Sequence, residues 1–143
     1  MMNWMTNNED VMLWLKNYCK KHKIIVTYRT DLSPKDNSYS YRFPRIIYLN
    51  DNYIQHLKPF VFAHEIGHAM CAKEDLVTDK SLYSARQHNE FLANKFAIRL
   101  LFKYCRENDI HFNSIYTFAE AFGIPNCYFF LLENLMKKML IRF

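Results

Sequence analysis

Residues 59–70 read PFVFAHEIGHAM, an apolar run interrupted by His64, Glu65 and His68. Imidazole and carboxylate groups are costly to bury unless something compensates them, and a metal ion is one such compensator. On a helix, residues four apart lie on one face, so His64 and His68 can point two ring nitrogens at a single ion. Glu65 stands about 100° round from His64, at the margin of that face, where it can reach a water on the ion without displacing it. Two ligands and a general base are the mechanical content of HExxH.

A plainer reading makes His64 and His68 ordinary helix histidines, with Glu65 on a solvated flank. The neighbours argue against it. Phe60, Val61, Phe62, Ala63, Ile66, Ala69 and Met70 surround the helix with apolar side chains, so three unpaired polar groups would be buried with it. Pro59 suits the first helical position, where its missing N–H costs little, and the helix is predicted from Pro59 to about Lys73. Gly67 has its own explanation in close packing against a neighbouring helix.

Catalytic zinc keeps three protein ligands and one open position, so a third donor is needed. Glu74 stands where proteases with the extended HExxHxxGxxH pattern place their last histidine. Those proteases need glycine at the position of Cys71, and here the helical pattern continues, so Glu74 is set aside. Glu90, in NEFLANKFAIRLL, belongs to a second helix predicted over Ala85 to about Arg106. Glu90, Ala93, Asn94, Ala97 and Leu101 share one face, and the alanines allow the close approach that a short carboxylate requires.

Glu90 is therefore the expected third ligand, and Asn94 is placed to accept a hydrogen bond from a ligand histidine and fix its tautomer. The plain alternative for Glu90 is an exposed carboxylate pairing with Lys95 or Arg86. His88 is a weaker ligand candidate, on the wrong side of the helix if Glu90 faces inward. Cys71 is read as a wall residue of the same face rather than a thiolate ligand.

Outward from this pair, Val11, Trp14, Leu15 and Tyr18 give a first amphipathic helix to about Lys21, with Thr6 and Glu9 as a possible capping box. IIVTYR (24–29) reads as a strand and TDLSPKDNS as a loop. YSYRF and RIIYL, separated by Pro44, are a hairpin or two edge-broken strands. RIIYL is either an interior strand or an edge to which a substrate adds as an extra strand. NDNYIQHLK is a connector with room for a helical turn, and KEDLVTDKSLYS is a polar surface loop or short irregular element. A helix near Ser114 to Phe122, ended by GIP, precedes one from Asn126, its cap candidate, to Lys138.

The fold class expected is α+β, mainly helical with a small antiparallel sheet, in one domain spanning residues 1–143. Twelve Phe, 10 Tyr and 2 Trp beside only 2 Gly and 4 Pro suit packed helices and exclude a large all-β fold. The net charge of +5 is scattered and does not identify a nucleic-acid binder. No secretory leader or membrane-length stretch is visible, so a cytoplasmic protein is expected, with Cys19, Cys71, Cys105 and Cys127 as buried free thiols.

PFVFAHEIGHAM followed by ExxANxFAxxLL resembles the ImmA/IrrE family of metallopeptidases, with the match extending over roughly residues 45–101 and including RIIYLN. FAEAFGIPNCYFFLLENL is similar to that family's tail. The resemblance implies a thermolysin-like, zincin-like site with His64, His68 and Glu90 as metal ligands and Glu65 as base. It also implies zinc, with manganese as an alternative, and a helix-turn-helix repressor as protein substrate, as in anti-repressors of phages, integrative elements or stress circuits.

Residues before position 45 depart most from the family pattern. Tyr39, Tyr41, Tyr48, Tyr83 and His88 are all chemically able to donate to an oxyanion. The tail's second helix presents Cys127, Tyr128, Phe129, Phe130, Leu131 and Leu132, a core or protein interface rather than a base-reading surface, so direct DNA binding is not expected. Two other classes of function compete with the peptidase: a non-proteolytic anti-repressor that binds its partner, and a toxin-like partner held by an antitoxin.

Overall fold

The computed structural model describes residues 7–41, 44–52, 58–71 and 79–139. Helix α1, Asn7–Lys21, buries Val11, Leu15 and Cys19 along one face. Glu9 and Asp10 in its first turn and Lys20 and Lys21 in its last complement the helix dipole. Thr6, half of the expected capping box, lies outside the described residues.

Strands β1 (Ile25–Arg29), β2 (Tyr39–Tyr41) and β3 (Ile46–Asn50) form one sheet in the order β1-β3-β2. β2 and β3 are the antiparallel hairpin, with Tyr39 opposite Tyr48. β1 runs parallel to β3, with Ile25 opposite Ile46 and Arg29 opposite Asn50. The α+β class holds, but the sheet is mixed rather than antiparallel throughout. A hairpin fixes only its own two strands; residues 30–38 carry the chain past β3, so β1 joins the far side of β3 and points the same way.

The buried Asn50 organises that excursion. Its side-chain amide donates to the carbonyls of Ser33 (2.8 Å) and Asp36 (2.7 Å), and its backbone N–H donates to Ser38 Oγ (2.9 Å). Ile47 and Leu49, fully buried, face the helices from β3.

Helix α2, Pro59–Cys71, starts at the expected proline and packs along α3, Asp79–Glu107. Residues 72–78, which include the expected helix end at Lys73, lie outside the described residues. The polar segment expected to be irregular is helical from Asp79 onward. No Gly or Pro interrupts 79–107, so a polar stretch simply continues the helix that the later, buried residues anchor.

Helix α4, Ile115–Phe122, is capped as expected: Ser114 Oγ accepts from Thr117 N–H, Thr117 Oγ1 accepts from Ser114 N–H, and Gly123 ends the helix at φ 75°. Asn126 is not a cap. Pro125 leads into a 3₁₀ turn, Asn126–Tyr128, without a side-chain bond, and helix α5 is Phe129–Lys138. Phe62, Ile66, Ile98, Leu101, Phe118, Leu132 and Leu135 fill the core between these elements. All four cysteines are free; Cys19 and Cys105 are buried, Cys71 is half-buried, and Cys127 is exposed, contrary to expectation.

Candidate active site

Gly67 and Ala93 set the geometry between α2 and α3. A Cβ on Gly67 would stand 2.6 Å from the Ala93 carbonyl oxygen and 2.8 Å from its Cα, so the two backbones touch where only hydrogen separates them. One turn along α2 on one side of this contact is His64, next to Gly67 is His68, and flanking Ala93 on α3 are Glu90 and Asn94.

Within this crossing, His64 Nε2 lies 3.0 Å from His68 Nε2 and 3.0 Å from Glu90 Oε2, while Glu90 Oε1 lies 2.9 Å from His68 Nε2. Asn94, 4% exposed, accepts a hydrogen bond from His64 Nδ1 at 2.7 Å through Oδ1. With its proton on Nδ1, His64 presents a bare lone pair at Nε2, facing a carboxylate oxygen and a second imidazole nitrogen. One proton cannot satisfy all of these acceptors, whereas a cation among them does. Two donors bonded to one ion at about 2.0–2.2 Å stand no more than roughly 4.4 Å apart, and the observed spacings meet that limit. The donor set of His64, His68 and Glu90 thus fits a divalent metal ion.

The charges are arranged to match. The His64 and His68 rings hold the Glu90 carboxyl well below the usual carboxylate range, more than offsetting partial burial. Burial by itself would lower the His64 pKa, but the Glu90 bond and the nearby Glu65 charge raise it overall. Glu65 goes the other way: burial raises its pKa, opposed in part by the two imidazoles and by the Ser40 hydroxyl. That hydroxyl faces Glu65 from β2 and is itself buried.

These groups floor a cleft of about 590 Å³. One wall is β2 with the residues just before it, contributing Ser38, Tyr39 and Ser40. The facing wall comes from the start of α2 (Lys58, Phe60, Val61) and the turn after α4 (Gly123, Pro125, Tyr128). Phe60 links the wall to the floor, its ring 5.8 Å from Tyr128 and 6.1 Å from His64.

The structure brings His64, Glu65, His68, Glu90 and Asn94 to one cleft, while Cys71, His88, Tyr41 and Tyr48 stand outside it. Cys71 does not line the cleft; it lies towards Tyr18, whose phenol is pushed up by burial first and by the neighbouring Cys71 second. His88 is exposed and stands outside the donor cluster. Strand RIIYL is the central strand, the first of its two expected readings, so among the described residues the sheet edge beside the cleft is β2. Of the possible oxyanion donors, Tyr39 lines the cleft and its phenol oxygen accepts from Arg29, which Asp31 holds in turn. Tyr41 and Tyr48 do not line it; Tyr83 and Glu74 fall outside the described side chains. Lys58 carries no signal in the sequence, and Tyr128 is read there only as part of a core or interface surface, because neither has a spacing that ties it to HExxH.

The family model of the IrrE N-terminal-like domain, a peptidase family, matches residues 19–127. The chain belongs to this family. The matched span holds His64, Glu65, His68, Glu90 and Asn94 together with both cleft walls, so the geometry above is that of an IrrE N-terminal-like metallopeptidase domain. No curated protein and no solved structure gives a significant match. Among the described residues no helix is long and apolar enough to cross a membrane.

Proposed function

We propose that this IrrE N-terminal-like peptidase is a zinc-dependent endopeptidase that cleaves a helix-turn-helix transcriptional repressor at one site and inactivates it, acting in the cytoplasm as an anti-repressor. The observation that carries the reading is the convergence of His64 Nε2, His68 Nε2 and the Glu90 carboxylate within hydrogen-bond distance of one another. Two imidazoles and a carboxylate are the donor set of hydrolytic zinc sites, and nitrogen-rich ligation favours zinc over manganese. When bound, the cation supplies Lewis acidity, lowering the pKa of water and polarising the scissile carbonyl.

The chain's own groups do the rest. Glu65, buried in the floor beside both imidazoles, takes the proton of the attacking water and delivers it to the leaving amine. Burial raises its pKa, the direction that favours taking up a proton. Asn94 keeps His64 in the tautomer that turns Nε2 to the cleft. Tyr39, bonded to Arg29, can donate its remaining proton to the developing oxyanion. Along the free edge of β2 an extended peptide can add as a further strand, with its side chains received by Phe60, Val61 and Tyr128 opposite.

The test is to mix the purified, zinc-loaded protein with the product of the adjacent regulator gene and look for a discrete pair of fragments by mass spectrometry. The expected result is one cut, slowed about 10²- to 10⁴-fold in Glu65→Gln with metal content unchanged. A Glu65→Gln variant that still relieves repression fully would replace proteolysis by binding alone.

A further inference from the structure

The cleft wall opposite β2 carries a single cation among the described residues, Lys58. Its stem is held in place. A Cβ on Gly123 would stand 2.6 Å from Lys58 Cβ, 2.7 Å from Cγ and 3.1 Å from Cδ, so the methylenes lie directly on the glycine that ends α4. On the other side the Lys58 carbonyl opens α2 by accepting from Val61 N–H at 3.0 Å. The chain is thus fixed at both ends of the residue while the side chain remains exposed at the cleft.

No carboxylate among the described residues pairs with it. Neither acidic group of the cleft pairs with it: Glu90 is held by both imidazoles, and Glu65 is buried beside them. Around Lys58 the wall is otherwise apolar, with Phe60, Val61, Pro125 and Tyr128. An unpaired ammonium beside apolar walls draws a carboxylate more strongly than one in open solvent, because the walls exclude the screening water.

We propose that Lys58 makes the cleft selective for peptides bearing a carboxylate close to the scissile bond, beside an apolar side chain seated against Phe60 and Tyr128. The inference rests on the peptidase reading and adds the substrate's chemistry to it. The carboxylate comes from an Asp or Glu side chain or from a peptide's own C-terminus.

The experiment exposes a synthetic mixture of decapeptides, half of them C-terminally amidated, to the zinc-loaded full chain and reads the cut positions by mass spectrometry. For the wild type, acidic residues are expected to be enriched about 2- to 5-fold at one fixed position from the cut, the scale of a partly exposed ion pair. Enrichment confined to peptides with a free C-terminus identifies the terminal carboxylate as the source. Lys58→Met keeps the stem on Gly123 and should lose the preference; Lys58→Arg should keep it, and Lys58→Glu should exchange it for Lys or Arg. Raising salt to about 0.5 M should weaken it. Cleavage without acidic preference, or a preference that survives in Lys58→Met, overturns the assignment to Lys58 while leaving the peptidase reading intact. A wild type that cuts the regulator but none of these peptides overturns this inference alone, and one that cuts neither overturns both.

Discussion

Glu65 and Glu90 are the same side chain given opposite properties by their surroundings. Glu65 is 7% exposed, and burial raises its pKa; Glu90 reaches across from α3 to two imidazoles that hold its proton affinity down. Environments that drive two carboxylates apart in this way separate a proton carrier from a permanently charged ligand. Asn94 works on the same scale. Its single bond to His64 Nδ1 decides which ring nitrogen carries a proton, and hence whether Nε2 offers a lone pair. Asn94→Ala should weaken zinc binding by about 10- to 100-fold, measured by competition against a chelator, because the bare imidazole can turn or change tautomer. Asn94→Asp, which still accepts from Nδ1, should bind much closer to wild type. Equal losses in both variants would mean that Asn94 acts by packing and not by orienting the ring.

Between elements, the contact of Gly67 with the Ala93 backbone decides how near α2 and α3 come, and so whether a carboxylate on one can reach imidazoles on the other. Alanine is the better helix former by about 1 kcal/mol, yet Gly67→Ala should destabilise the metal-free protein by about 1–3 kcal/mol in urea titration. The added methyl would meet backbone atoms, which cannot rotate aside. An unchanged or raised midpoint would show that the helices have room to spare. This crossing was legible in the sequence, since HExxH and the ExxAN helix each display their register through apolar spacing, and Gly67 and Ala93 mark the near approach. Strand order was not, because the neighbour of RIIYL depends on where residues 30–38 carry the chain, and no local pattern encodes that. The first turns of α3 were hidden for another reason: their polar residues have the composition of a loop, and no apolar period marks them as helical. The wall with Lys58 and Tyr128 was equally hidden, since it joins α2 to a turn distant in sequence.

Across the molecule, the donor set bridges the two helices that pack most extensively, and both carry core residues: Phe62 and Ile66 on α2, Ile98 and Leu101 on α3. The β2 wall is fixed independently through Asn50, whose bonds to Ser33, Asp36 and Ser38 belong to the sheet side of the cleft. A cation at the crossing therefore ties elements whose separation is a large part of unfolding, and its binding free energy adds to the stability of the whole domain. At a free zinc concentration 100 times the dissociation constant the added stability is about 2.7 kcal/mol. For a chain of this size that corresponds to a rise of roughly 5–11 °C in Tm. Thermal scans with zinc and with a chelator should differ by about that much, and Glu90→Gln, which weakens the bridge from α3, should remove most of the difference. An equal Tm in zinc and in chelator, with binding shown by direct titration, would mean that the ion associates with the unfolded chain as tightly as with the folded one.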